Sequence, residues 1–230
     1  IISIHKEKIA GIIHTINDNI SDRIDYNKTT SKLVYGNNII NEKMLNLNFE
    51  ISMSSFFQTN PLCAERLYKK VIEYIKIPKS TNQIVLDLFC GTGTIAQMIA
   101  SHQKNAQIIG VDIVESAIEN AKKSAVKNNI NNVDFYALDI NKFLINKPDL
   151  KNKIQTIIID PPRPGIAKKS LHKIIELNSQ IIIYVSCNPS TQARDINILI
   201  EHGYKINQFS IADQFPHTHH IETIFLLNKS

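Results

Sequence analysis

From residue 60 onward the apolar positions alternate between two rhythms. Continuous runs of mostly branched residues occur at 84–89, 107–112, 133–138, 156–160 and 180–186. Between them apolar residues recur every three or four positions, as Ile118, Ala121 and Ala125 do. The runs predict strands buried on both faces, and the periodic stretches predict helices over 61–76, up to about 101, and over 115–128, 168–178 and 191–201. Two last runs, 204–211 and 221–227, follow each other without a helical stretch. Strand and helix in alternation predict an α/β fold, a doubly wound, Rossmann-like sheet of about seven strands. Residues 1–55 read differently. Short alternating runs at 1–4, 9–16, 32–35 and 45–51, broken by Asn17-Asp18-Asn19 and Gly36-Asn37-Asn38, predict a small, mostly antiparallel β region. The boundary falls near residue 55, leaving 56–230 as the α/β domain.

Composition narrows the class. With 230 residues, 43% hydrophobic and 20% charged, the chain holds one full-sized α/β domain with an appendage. No run approaches the roughly 18 apolar residues of a spanning helix, so no membrane segment is expected. Cys63, Cys90 and Cys187 lie far apart with no Cys-x-x-Cys pair, which argues against a disulfide framework, a zinc site or an iron-sulfur cluster within this segment. A reducing, cytoplasmic setting is the default for such cysteines. The net charge of +5 suits a polyanionic partner, although the lysines are spread rather than massed. The chain opens on Ile1 without a signal-peptide pattern and reads as a piece whose beginning lies elsewhere.

Ligands of doubly wound sheets bind beyond the carboxyl ends of the strands, so the residues there carry the candidate chemistry. Gly91-x-Gly93-x-x-Ala96 follows the first strand of the series, and Asp112 comes about 20 residues later. Glycines let backbone approach a nucleotide and a carboxylate accepts from ribose hydroxyls; this pattern alone does not separate NAD from S-adenosylmethionine. Asp160-Pro161-Pro162-Arg163-Pro164-Gly165 ends the fourth strand, its prolines stiffening the backbone around a carboxylate. Ser186-Cys187-Asn188-Pro189-Ser190-Thr191 ends the fifth, with Ser190 or Thr191 as candidate helix cap. Cys187 would then lie near a helix amino terminus, whose dipole lowers a thiol pKa. In 213–222, His217, His219 and His220 crowd together, but the stretch offers no partner ligands at metal-binding spacing, so no metal is expected. Glu222 opens the last strand and qualifies as a general base if the fold buries it beside Cys187.

Taken together, these segments resemble the RNA uracil-C5-methyltransferases, which make 5-methyluridine in tRNA and ribosomal RNA with S-adenosylmethionine. The resemblance rests on Ser55-Phe56-Phe57-Gln58-Thr59-Asn60-Pro61, Asp87-Leu88-Phe89-Cys90-Gly91-Thr92-Gly93-Thr94, Asp160-Pro161-Pro162-Arg163, Ser186-Cys187-Asn188-Pro189 and Phe215-Pro216-His217-Thr218 through Glu222. It implies a nucleophile at Cys187 and a proton acceptor at Glu222. It also implies that Gln58, Phe89, Gly91, Gly93, Thr94, Asp112, Asp139 and Asp160 bind the methyl donor or line its pocket. Thr94 stands where relatives often have Asn. RNA cytosine-C5-methyltransferases carry a second cysteine where this chain has Pro162, which favours uracil. The Phe56-Phe57-Gln58-Thr59-Asn60 string is closer to the 23S ribosomal RNA branch than to the tRNA branch. Relatives usually add an amino-terminal RNA-binding β-barrel, and some an iron-sulfur site; neither is visible in this segment. Residues 1–55 resemble the remainder of the family's central β domain. The resemblance implies no protein partner. The rival reading, an NAD-dependent dehydrogenase, has only the glycine turn and Asp112 behind it.

Overall fold

The structure, a computed structural model, describes residues 8–17, 30–52, 57–75 and 83–230. The run 1–4, residues Asp18 and Asn19 of the first turn, Ser55-Phe56 and Lys76 lie outside them. Backbone contacts divide the chain into two compact units, Ile1–Phe57 and Gln58–Ser230.

The first unit contains two antiparallel hairpins, β1 (Gly11–Ile16) with β2 (Thr30–Gly36) and β3 (Ile39–Met44) with β4 (Leu47–Ser52). The strand expected over 45–51 starts later, because Leu45 and Asn46 take positive φ, 47° and 67°, and form the two-residue turn between β3 and β4. Such turns match the twist of the strands they join, and a leucine in one gives no sequence signal. Met44, Leu47 and Phe49 of this hairpin are buried.

The second unit holds the expected seven-stranded sheet. Its strands are β5 (Gln83–Leu88), β6 (Ala106–Asp112), β7 (Val133–Ala137), β8 (Ile154–Ile159), β9 (Ile181–Ser186), β10 (Tyr204–Ala212) and β11 (Glu222–Lys229). They run in the order β10-β11-β9-β8-β5-β6-β7. Strands β5 to β9 are parallel, and β11 lies antiparallel between β9 and β10. The helices are α1 (Pro61–Tyr74), α2 (Thr94–His102), α3 (Glu115–Lys127), α4 (Ile140–Asn146), α5 (Lys168–Glu176) and α6 (Pro189–Glu201). Helix α4 was not expected: it has room for only two turns of periodicity, its apolar Ile140, Phe143 and Leu144 fitting one face. Ile118, Ala121 and Ala125 of α3 are buried, as their spacing requires.

The chain builds outward from β5 to β6 and β7, then returns to β8 on the other side of β5. The strand order therefore reverses between β5 and β8, which opens a crevice beyond their carboxyl ends. Leu88 pairs with Ile159 at the ends of these strands, and the Asp160 amide donates to the Leu88 carbonyl at 3.4 Å. Phe89 and Asp160 thus flank the switch point.

Candidate active site

The turn after β5 holds three residues in the left-handed region: Phe89 (φ 63°), Gly91 (54°) and Gly93 (72°). For a residue as bulky as Phe89 that conformation costs energy and concentrates at functional sites. A Cβ on Gly91 would meet nothing within 4 Å, whereas one on Gly93 would stand 2.5 Å from the Phe135 ring and 3.0 Å from the Ala121 methyl. Gly93 therefore serves the close packing of the turn, and Gly91 leaves open space beside it. Gly93→Ala is expected to lose about 2–4 kcal/mol, read from the urea midpoint, since strained φ and overpacking combine. Asp112 ties the turn to β6: its Oδ2 accepts from the Gly91 amide and its Oδ1 from the Val114 amide, both at 2.9 Å. Thr94 opens α2, buried, with its hydroxyl 3.3 Å from that of Thr92. Asp139 caps α4, its Oδ1 accepting from the Asn141 and Lys142 amides at 2.9 and 3.3 Å.

Across the switch point, the proline-rich loop after β8 is clamped to the start of α6. The Arg163 carbonyl accepts from Asn188 Nδ2 at 3.0 Å and Thr191 Oγ1 at 3.1 Å. Buried Asp195 receives the Ile166 amide at 2.9 Å and the Tyr184 hydroxyl at 2.7 Å, while Arg194 spans from Asp195 to the Pro164 carbonyl. Neither Ser190 nor Thr191 is the cap of α6. Asn188 is, through its Oδ1 and the Ser190 amide, because Pro189 occupies the first helical position and shifts the cap back by one or two residues.

Cys187 and Glu222 come together through strand register. Ser186 of β9 pairs with Thr223 of β11 in antiparallel fashion, so the next step off the ladder sets Cys187 beside Glu222. The Thr223 hydroxyl lies 2.6 Å from Gln192 Oε1, and Gln192 Nε2 donates to the Tyr184 carbonyl at 2.8 Å, which fastens α6 to both strands. Glu222 is 4% exposed, and burial pushes its carboxyl up to about 7 against the opposing pull of Arg163. Asp160 is likewise raised to about 7, by burial first and then by Glu222. The expectation that the helix terminus leaves Cys187 with a lowered pKa is overturned. Burial and the Glu222 carboxylate push the thiol up, and the positive charge of Arg163 acts against them. A dipole at one helix end is outweighed by desolvation plus an adjacent carboxylate.

Four residues of the cluster were not singled out from the sequence. Tyr68, on the buried face of α1, has its hydroxyl pushed up by burial and by Asp160, with a Gln58 hydrogen bond opposing. On an apolar helix face it is indistinguishable from core. Gln214, 1% exposed, donates from Nε2 to Gln58 Oε1 at 3.3 Å and to the Asn60 carbonyl at 3.2 Å. Asp87 is fully buried at the end of β5. Burial and then Asp160 raise its carboxyl well above the ordinary range, and the Ala96 amide that acts against this closes no normal hydrogen bond to it. A lone acid inside Val85-Leu86-Asp87-Leu88 was the available signal. Arg163, noted only as following the prolines, supplies positive charge to Cys187 and Glu222. Cys90 is packed under Gly110, consistent with a small core residue. Among the described residues no three His, Cys, Asp or Glu side chains group as metal ligands.

The model of the tRNA (uracil-5-)-methyltransferase family matches residues 19–230. An uncharacterized RNA methyltransferase of Clostridium tetani is 43% identical over 225 residues, covering 98% of this chain and 47% of that protein. One from Clostridium acetobutylicum is 40% identical, covering 96% and 47% respectively. The chain therefore spans about half the length of these relatives. Among solved structures, the Pyrococcus abyssi tRNA (uracil-54, C5)-methyltransferase in complex with S-adenosyl-L-homocysteine superposes with a TM-score of 0.78 at 30% identity, over 96% of this chain and 51% of that one. With the family model matching nearly its whole length, the chain belongs to the tRNA (uracil-5-)-methyltransferase family.

Proposed function

We propose that the protein transfers a methyl group from S-adenosylmethionine to carbon 5 of a uridine in RNA, through a covalent adduct between Cys187 and the base. Residues 56–230 form its catalytic domain, and residues 1–55 are the remainder of a central β domain. The carrying observation is that Cys187 and Glu222 each stand next to the last ladder pair, Ser186–Thr223, with the thiol within electrostatic reach of Glu222 and Asp160.

The turn after β5 suits the methyl donor: open space at Gly91, a strained Phe89 at the strand end, and the Asp112 carboxylate at the tip of β6. Gln58, Phe89, Gly91, Gly93, Thr94, Asp112 and Asp160 would hold it, with Asp139 contributing from the start of α4. When bound, S-adenosylmethionine supplies an electrophilic methyl group on a sulfonium. Carbon 5 of uracil is a poor nucleophile, so Cys187, once its thiol proton has passed to solvent, adds as the thiolate at carbon 6 and moves electron density to carbon 5. That carbon takes the methyl group. Glu222 then accepts the carbon 5 proton, the electron pair restores the ring double bond, and the thiolate leaves. A carboxylate raised to about 7 is a stronger base than an ordinary glutamate yet still ionises near neutrality. Reaching the ring edge requires an unpaired or flipped base, whose phosphates the net charge of +5 favours.

Glu222 works in its ionised form, so resolution of the adduct is expected to slow as pH falls through about 7. Single-turnover release of product across that range checks this, and Glu222→Gln should hold the adduct without release at every pH in it. The activity itself is tested by incubating RNA with S-adenosylmethionine and analysing its nucleosides by mass. The expected product is 5-methyluridine; 5-methylcytidine, or no methylation of either ribosomal or transfer RNA, overturns the reading. The Phe56-Phe57-Gln58-Thr59-Asn60 string favours 23S ribosomal RNA, and the Pyrococcus abyssi relative supports transfer RNA as the second reading. Mapping which RNA loses a 5-methyluridine in cells lacking the gene decides between them.

A further inference from the structure

Gln214 stands two residues past β10, in the connection to β11. Strand β10 runs in the same direction as β9, because β11 between them is antiparallel to both, so this connection lies at the crevice edge of the sheet. The Gln214 side chain is 1% exposed and reaches the segment that enters α1. There Nε2 donates to the Asn60 carbonyl at 3.2 Å and to Gln58 Oε1 at 3.3 Å. A backbone carbonyl only accepts, so the end of Gln214 that faces Asn60 is its amide nitrogen. That nitrogen in turn only donates, so the end of Gln58 that faces it is the oxygen. One main-chain atom thereby fixes the direction of both carboxamides. Gln58, half-buried, keeps its own amide nitrogen for what occupies the crevice.

Holding the two segments together does not need the Gln214 side chain. Asn60 does so through the Gln214 backbone: its Nδ2 donates to the Gln214 carbonyl at 3.3 Å, while its Oδ1 caps α1 by accepting from the Cys63 amide at 3.2 Å. The Asn60 carbonyl already accepts from the Ala64 amide at 3.0 Å. Gln214 Oε1, meanwhile, is buried with no partner among the described residues, a loss of stability that an apolar side chain of the same size avoids. What the amide supplies in return is the orientation of Gln58. We infer that Gln214 is a positioning residue: it turns the Gln58 oxygen inward and so presents the Gln58 amide as a hydrogen-bond donor to an oxygen of the bound methyl donor. The inference rests on the assignment of Gln58 to the methyl donor. A carboxylate such as the methyl donor carries only accepts, so a fixed donor binds it where an oxygen in the same place repels it. Without Gln214 the Gln58 carboxamide is free to turn over, and the turned form faces the ligand with its oxygen.

Titration calorimetry of S-adenosyl-L-homocysteine into the full chain reads the effect, with circular dichroism and the thermal midpoint recording the fold of each variant. Gln214→Met keeps the length and lacks the donor, and should weaken binding by about threefold to tenfold, the size of one ordered hydrogen bond. Gln58→Ala should lose at least as much. The double variant should bind no more weakly than Gln58→Ala, because Gln214 acts only through Gln58; a purely structural part for Gln214 would instead multiply the two losses. Gln58→Glu still accepts from Gln214 but sets an oxygen toward the ligand, and should bind no better than Gln58→Ala. Wild-type affinity in Gln214→Met or in Gln58→Glu, or multiplied losses in the double variant, would overturn the inference. Gln58→Ala reads the underlying assignment by itself: a loss there keeps Gln58 as a ligand of the methyl donor even where the inference fails, and wild-type affinity overturns both.

Discussion

Glu222→Gln, given S-adenosylmethionine and substrate RNA, is expected to accumulate a covalent protein–RNA species, while Cys187→Ala forms none and methylates at least about a thousandfold more slowly. The two variants part because they act on opposite sides of the adduct. Removing the sulfur removes bond formation at carbon 6, and nothing else in the cluster substitutes for it: Cys63, whose thiol is also pushed up by burial, is held on α1 with its sulfur 3.4 Å from the Asp213 carbonyl. Removing the carboxylate leaves addition and methylation intact and stops the proton from leaving carbon 5. Glutamine keeps the shape and the neutral state that Glu222 already samples near pH 7, so the strand register that holds Cys187 should survive. Denaturing gels with labelled RNA separate the outcomes.

The second large effect is structural. Asp195→Ala is expected to cost about 3–5 kcal/mol, because it strips partners from several buried donors at once. The Tyr184 hydroxyl at 2.7 Å, the Ile166 amide at 2.9 Å and Arg194 all converge on this 1% exposed carboxylate. Tyr184→Phe removes one donor and leaves the others paired, so a loss of about 1 kcal/mol is expected there. The consequence reaches the site: Asp195 holds the loop that carries Asp160 and Arg163 against the helix that follows Cys187. Denaturant unfolding gives the stability. Methyl transfer measured where Asp195→Ala is still folded should also fall, as the two walls of the crevice lose their common anchor.

The parallel sheet was legible because its strands are buried on both faces and must be written as unbroken branched runs, Ile157-Ile158-Ile159 and Ile181-Ile182-Ile183 among them. The residues at the strand ends were legible for the related reason that glycine frees and proline fixes the backbone there. Less visible was anything set by distant partners. No local pattern places Glu222 beside Cys187; the antiparallel insertion of β11 next to β9 does so. The direction of the Cys187 pKa failed for the same reason, since the helix terminus is local and the opposing carboxylate is not. Asp139 shows the converse case: its capping of α4 is a local role, hidden because α4 is too short to announce itself. Tyr68 and Gln214 carry polar atoms into a buried cluster on elements whose pattern reports only burial.

The most direct measurement uses RNA with 5-fluorouridine at the target position, incubated with the protein and S-adenosylmethionine, digested, and mapped by mass spectrometry. Fluorine cannot leave as a proton, so the account predicts a stable adduct on the Cys187 peptide, bearing a methylated fluoropyrimidine. An adduct on another residue, or methylation without any trapped protein, would contradict it.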